Sequence, residues 1–246
     1  RSRSGARAGA VGESLDRRIM RERLPVATAL AFGAKLARAL GQVHRKGIVH
    51  RDVKPQNILV NAERTDVCLI DFGIAVRKSA YVDATARAET LAGTLAYMAP
   101  EQTGRMNRGV DSRADLYALG ATLYQMLTGK LPFEQEDAVE LIHAHIARTP
   151  VPPHERAKEQ RIPEVVSAIT LKLMAKEPEQ RYQTAEGVAF DLERASEALA
   201  ATGAIPAFAL GTRDWEDRIR KPSRLFGREA EMAALTACFE RVCMER

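Results

Sequence analysis

The eight residues His50-Arg51-Asp52-Val53-Lys54-Pro55-Gln56-Asn57 constrain this chain more than any other stretch. They place a carboxylate, a lysine and an amide within six positions of one another, in a segment that a proline keeps from becoming a regular helix. Asp71-Phe72-Gly73 and Ala99-Pro100-Glu101 follow in order. Between the first two blocks lie two short apolar runs, 58–60 and 67–70, separated by polar residues. That pattern predicts a small β-hairpin. Such a hairpin sets Asn57, just before its first strand, near Asp71, just after its second. Two oxygen donors so placed suit a shared metal ion.

The flanking sequence is predominantly helical. From Val26, apolar or small residues recur at Leu30, Gly33, Leu36, Ala37, Leu40 and Val43, a helical period opened by Pro25 and closed by Gly47. This helix delivers the chain to His50. Residues 74–98 show little periodicity, and a loop of that length inside a domain is usually functional or disordered. Asp111 or Ser112 can cap a further helix. Its apolar positions, Leu116, Leu119, Leu123 and Leu127, are joined by Tyr117, Ala118, Ala121, Tyr124 and Met126 on other sides, which predicts a buried central helix ending at Gly129. Helices are also expected over 137–147, over 163–176, and from a Thr184 cap with Glu186 in its first turn to about Ala200.

With these elements in place, residues 12–201 resemble a eukaryotic-like, bacterial-type Ser/Thr protein kinase, on the blocks H-R-D-V-K-P-Q-N, D-F-G and A-P-E. The resemblance implies a mainly α (α+β) fold. It consists of the large C-terminal lobe with a small β-hairpin at the catalytic cleft, and the N-terminal lobe absent. It implies ATP as co-substrate, Mg²⁺ as cofactor and a protein substrate. Asp52 would be the catalytic base and Lys54 would reach the transferring phosphate. Asn57 and Asp71 would hold the metal, and Leu59 would lie under the adenine. Arg51 would pair with a phosphorylated Thr85 or Thr90 in the activation segment. Thr94 would bond to Asp52 and Lys54, supporting Ser/Thr specificity. Glu101 and Arg181 would form the ion pair that anchors the segment, and Asp115 would hold the catalytic-loop backbone. His50 and Phe72, beside Gly73, would stack in the regulatory spine.

Several residues carry no special role on this reading. His44, His143, His145 and His154 are expected to be ordinary, since His143 and His145 lie two apart and face different sides of a helix. Cys68, within an apolar run, is expected to be a small buried residue. The three cysteines, Cys68, Cys238 and Cys243, show neither disulfide nor zinc spacing, which favours a reducing, cytoplasmic setting. No apolar run approaches the roughly 18 residues of a membrane span. The net charge of +5 owes part of its excess to Arg1, Arg3 and Arg7, ahead of the first acid, Glu13. Residues 1–11 read as a disordered basic tail, and no nucleic-acid partner is expected.

Residues 202–223, with Gly203, Pro206, Gly211 and Pro222, read as a linker. Residues 224–246, opening Leu225-Phe226-Gly227-Arg228-Glu229, resemble the truncated start of an AAA-type ATPase domain, which implies a multidomain signalling protein with downstream ATPase or sensor partners. Only 49 residues precede His50, with no G-x-G-x-x-G loop and no V-A-I-K-type lysine among them. The chain alone is therefore expected to show negligible autophosphorylation. A small-molecule phosphotransferase of the antibiotic-kinase type lacks the A-P-E block and the Asp115 and Arg181 framework. A non-catalytic kinase-like scaffold or regulatory module is the alternative reading. Against it, Asp52, Asn57 and Asp71 are all intact.

Overall fold

In the computed structural model the described residues are 12–61, 66–72, 76–77, 95–106 and 108–215. They fall in the first of two units, Arg1–Trp215, while the second, Glu216–Arg246, lies outside them with the segment resembling an ATPase start. The basic tail over 1–11 also lies outside the described residues.

The described chain begins with strand β1, Glu13–Ser14, and helix α1, Leu15–Arg21, which the hydrophobic pattern did not reveal. Ser14 serves both elements. Its backbone pairs with Leu59, and its hydroxyl accepts a hydrogen bond from the Arg17 amide as the helix cap. Helix α2, Val26–Arg45, follows Pro25, and Gly47 beyond it takes the left-handed φ of 73° that its glycine allows. Strand β2, Ile48–Val49, leads into the loop that carries Asp52, Lys54 and Asn57.

The expected hairpin is present as β3, Ile58–Asn61, and β4, Asp66–Leu69. With β1 they form a three-stranded sheet in the order β1-β3-β4. β2 pairs separately with β5, Val76–Arg77. Period-two alternation sends Ile58, Val60 and Leu69 into the core. The same alternation places Cys68 opposite Leu59 on the other face, where it is exposed. The expectation of a buried Cys68 is thus wrong, because the residue sits at the outward register position of its strand.

The large helical body is organised around α3, Ser112–Thr128. Asp111 caps it through the Arg113 amide, and Gly129 closes it at φ 70°. Fourteen of its seventeen residues are buried, so it is a core element rather than an amphipathic surface helix. It is followed by α4, Ala138–Ala147, the short α5, Pro153–Arg156, then α6, Glu164–Leu173, and α7, Ala185–Thr202. Helix α2 packs on α7 and α3. At that crossing a Cβ on Gly33 would stand 3.2 Å from Leu192 and 3.4 Å from Leu123, so a small residue lets the helices close up. The core side chains Leu30, Phe32, Leu36 and Leu40 of α2 are within 1% of complete burial, each contributing about 1.5–3 kcal/mol. No helix among the described residues is long and apolar enough to cross a membrane.

Residues 205–214 depart from the linker reading. Ile205, Phe208 and Leu210 pack partly buried against the core. Asp214 accepts hydrogen bonds from the Gln183 and Thr184 amides at the start of α7. Proline and glycine in this stretch shape an ordered strap rather than an unattached connection.

His145, expected to be ordinary, is buried between α3 and the Phe133 turn. Its Nδ1 lies 2.9 Å from the Tyr117 hydroxyl, and its ring meets Phe133 edge-on at 5.0 Å. The Lys176 ammonium donates to the His145 carbonyl at 2.8 Å. Burial, with the Lys176 charge adding to it, pushes the His145 pKa down to about 3. The unfolded chain takes up a proton near pH 6.5, whereas the folded chain resists until about 3. Folding stability is therefore lost as pH falls through that window. His145→Gln should flatten the stability–pH slope between pH 6 and 4 by up to about 1.4 kcal/mol per pH unit. Urea unfolding at stepped pH measures this, and an unchanged slope would contradict the assignment.

Candidate active site

The site is built on the loop between β2 and β3. Asp115, in the first turn of α3 and fully buried, accepts from two consecutive loop amides: His50 N at 2.8 Å on Oδ2 and Arg51 N at 2.7 Å on Oδ1. His44, the penultimate residue of α2, adds its Nε2 to Oδ2 at 2.7 Å. His44 is therefore not the stand-alone residue expected. Six residues before His50 it carried no spacing signal, because its partner lies 71 positions away.

These bonds hold an unfavourable backbone. Arg51 adopts φ 68°, in the left-handed region that costs a side-chain-bearing residue about 1–3 kcal/mol. The Arg51 peptide is held from the other side too, since Gln102 Nε2 donates to the Arg51 carbonyl at 3.0 Å. The Gln102 Oε1 accepts from Ala99 N at 3.1 Å, so one carboxamide joins the A-P-E turn to the 50–57 loop. Gln102 was missed in the sequence, where it is simply a polar residue after Glu101.

Asp52 is 8% exposed. Its Oδ2 receives the Lys54 ammonium at 2.9 Å and the Asn57 Nδ2 at 2.8 Å, while Asn57 Nδ2 also reaches the Asp52 carbonyl at 2.9 Å. Oδ1 is buried with no hydrogen-bond partner among the described residues. A buried carboxylate oxygen left unpaired is costly. The His50 imidazole supports the loop from beneath. Its Nδ1 lies 3.3 Å from Asp52 N and its Nε2 3.2 Å from the Ile70 carbonyl, partners that together select the Nε2–H tautomer. Its ring meets Phe72 edge-on at 4.6 Å, with Phe72 43% exposed.

The hairpin does bring Asn57 beside the D-F-G block. Ile58 pairs with Leu69, and the Ile70 amide donates to the Asn57 carbonyl at 2.9 Å. Asp71, the next residue, turns sharply at φ 61°. Asn57 and Asp71 offer hard oxygen donors of the type Mg²⁺ prefers, an ion that takes one or two protein ligands and fills its shell with phosphate and water oxygens. No group of three or more His, Cys, Asp and Glu side chains that could hold a metal occurs among the described residues. Leu59, half-buried, lies on the sheet face opposite Ile58 and Val60.

Glu101 and Arg181 form a two-pronged pair at 2.7 and 2.8 Å with side chains at most 1% exposed. The remaining guanidinium hydrogens go to the carbonyls of Ala175 at 2.7 Å, Arg113 at 3.1 Å and Lys176 at 2.9 Å. Removing one partner of so buried a pair costs about 3–5 kcal/mol, because the other is left uncompensated. Gly73, Thr85, Thr90 and Thr94 lie outside the described residues.

A family model described as the protein kinase domain matches residues 9–191. The chain is 42% identical over 171 residues to a probable serine/threonine-protein kinase of Clostridium perfringens, an alignment covering 70% of this chain and 24% of that protein. It is 40% identical over 173 residues to the serine/threonine-protein kinase PknB of Mycobacterium leprae, covering 70% and 26%. With the serine/threonine-protein kinase Pkn1 of Myxococcus xanthus the identity is 43% over 166 residues, covering 64% and 23%. The chain thus spans about a quarter of the length of these curated relatives.

Proposed function

We propose that this chain, which belongs to the protein kinase domain family, serves transfer of the γ-phosphoryl group of ATP to serine and threonine hydroxyls of proteins. The observation that carries the reading is the Asp52 carboxylate, with one oxygen fixed by Lys54 and Asn57 and the other buried and unpaired. The unpaired oxygen is positioned to take the hydrogen bond of a substrate hydroxyl. As the substrate hydroxyl oxygen bonds to the γ-phosphorus and the bond from that phosphorus to the β,γ-bridging oxygen breaks, ADP leaves and the hydroxyl proton passes to Asp52. Lys54 is placed to turn from Asp52 toward the phosphoryl oxygens. Asn57 and Asp71 would hold Mg²⁺, which when bound offsets phosphate charge. Most of the catalysis asked of this half of the cleft is positioning, and the fixed loop provides that.

The described residues supply the large-lobe side of the cleft, with Leu59 as the floor for the adenine. Arg51, beside Asp52 in the chain, would pair with a phosphate on Thr85 or Thr90, and Thr94 would support Ser/Thr choice. Glu101 and Arg181 anchor the activation segment. On the same reading the protein acts in the cytoplasm, and residues 224–246 begin a downstream ATPase module.

In the protein as its gene encodes it, Asp52→Asn should lower transfer of γ-labelled phosphate to a Ser/Thr-rich protein substrate by a factor of about 10² to 10⁴. Mg²⁺-dependent nucleotide binding should remain within about threefold, since Asp52 is not in the proposed metal set. Phosphoamino-acid analysis should find phosphoserine or phosphothreonine. Transfer by Asp52→Asn at the wild-type rate would sink the reading, and absence of transfer by the wild type would favour a non-catalytic module.

A further inference from the structure

The residues after α7 make contacts that the phosphoryl-transfer chemistry does not use. The family match ends at Asp191, and everything from Leu192 onward lies beyond it. Yet the strap over 205–214 returns to the body and binds at several separate points. The Gly211 amide donates to Asp191 Oδ2 at 2.7 Å, an oxygen that also accepts from the Tyr182 hydroxyl at 2.6 Å. Lys172 reaches the Leu210 carbonyl at 3.4 Å and sits over the Tyr182 ring, 4.5 Å from its centroid. Arg194 stacks on Phe208 and Arg213 on Phe190, at 4.3 and 4.5 Å.

The strap ends in Asp214, which acts as a second cap for α7. Its Oδ1 accepts from Thr184 N and Thr184 Oγ1, both at 2.8 Å, and its Oδ2 from Gln183 N at 2.8 Å. Thr184 Oγ1 in turn accepts from Gly187 N at 3.0 Å. A carboxylate at this end also meets the positive end of an eighteen-residue helix. Close approach requires the glycine: a Cβ on Gly187 would lie 2.6 Å from Asp214. Capping by a residue 30 positions downstream ties the chain's exit to the start of α7.

The turn so capped begins with Arg181, the partner of Glu101. Successive residues serve the two systems: Arg181 reaches Glu101, Tyr182 reaches Asp191, and the Gln183 and Thr184 amides reach Asp214. From Glu101 the next residue, Gln102, holds the Arg51 carbonyl beside Asp52.

We propose that the 205–214 strap is a latch, with Asp214 as its positioning residue, coupling the chain that leaves the domain to the Glu101–Arg181 anchor. When the strap is seated, the 181–184 turn is held and the anchor is rigid. When Asp214 is unseated, two amides and a hydroxyl lose their acceptor, the turn loosens and the anchor loosens with it. The functional consequence rests on the kinase reading. The test does not, because it reads structure without catalysis.

Hydrogen–deuterium exchange on the 246-residue chain compares wild type with Asp214→Ala. Peptides over 181–190 and over 95–104 should both exchange roughly fivefold faster or more, the scale of a lost helix cap. Peptides from α2 and α3 should be unchanged. Faster exchange confined to the strap and 183–190, with 95–104 unchanged, would overturn the coupling. If Asp214→Ala also deprotects α2 and α3, Asp214→Asn decides by the same two peptides. It keeps an acceptor oxygen, and joint acceleration supports the latch while acceleration of 183–190 alone overturns it.

Discussion

The site depends on one buried carboxylate. Asp115 lies fully inside the helical body, where a lone charge is very costly, and it is tolerated because three donors converge on it. Two of these donors are the consecutive amides of His50 and Arg51. By accepting both, Asp115 holds Arg51 at a left-handed φ that nothing local favours. That twist brings Asp52 over Lys54 and Asn57 instead of letting the loop run on as an extended strand. The central helix is thus the core of the fold and also the template on which the loop is shaped.

A second constraint bears on the same loop from the activation-segment side. Gln102 grips the Arg51 carbonyl, and the neighbouring Glu101 is locked to Arg181. Arg51 is therefore held at its N–H by the core and at its C=O by the segment that follows the site. Such double fastening suits the phosphoryl transfer proposed above, in which the protein would do little covalent work and mainly hold groups in place. It also makes the loop sensitive to anything that moves the 181–184 turn, and the strap ending in Asp214 is bonded there.

Much of this was legible in the sequence because it is local or strictly periodic. The hairpin followed from two apolar runs, α2 from its repeat, and α3's burial from apolar residues on more than one side. Helix caps at Asp111 and Thr184 were readable from residue type. Misread features share a different cause. Cys68 looked buried because its run is apolar, but one register position decides which face a strand residue takes. His44 looked ordinary because its carboxylate partner arrives only when α2 and α3 pack. The strap looked like a linker because proline and glycine mark turns whether or not the turns are bonded to a core. Its bonds reach partners 20 to 38 positions away. Asp52, Lys54, Asn57 and Asp71 were named from their motif spacing. The orphaned Asp52 oxygen could be seen only once neighbouring side chains had been placed.

The dependence of the loop on Asp115 is open to direct measurement. Asp115→Asn keeps the side-chain shape but can offer only one carbonyl oxygen where two carboxylate oxygens now serve His50 N and Arg51 N. Amide-resolved hydrogen exchange on the 246-residue chain should show at least one of those two amides losing protection by about tenfold or more, the loss of a charge-assisted buried hydrogen bond. Interior amides of α2 and α7 should stay protected. Unchanged protection at both His50 and Arg51 in a folded Asp115→Asn chain would contradict the account.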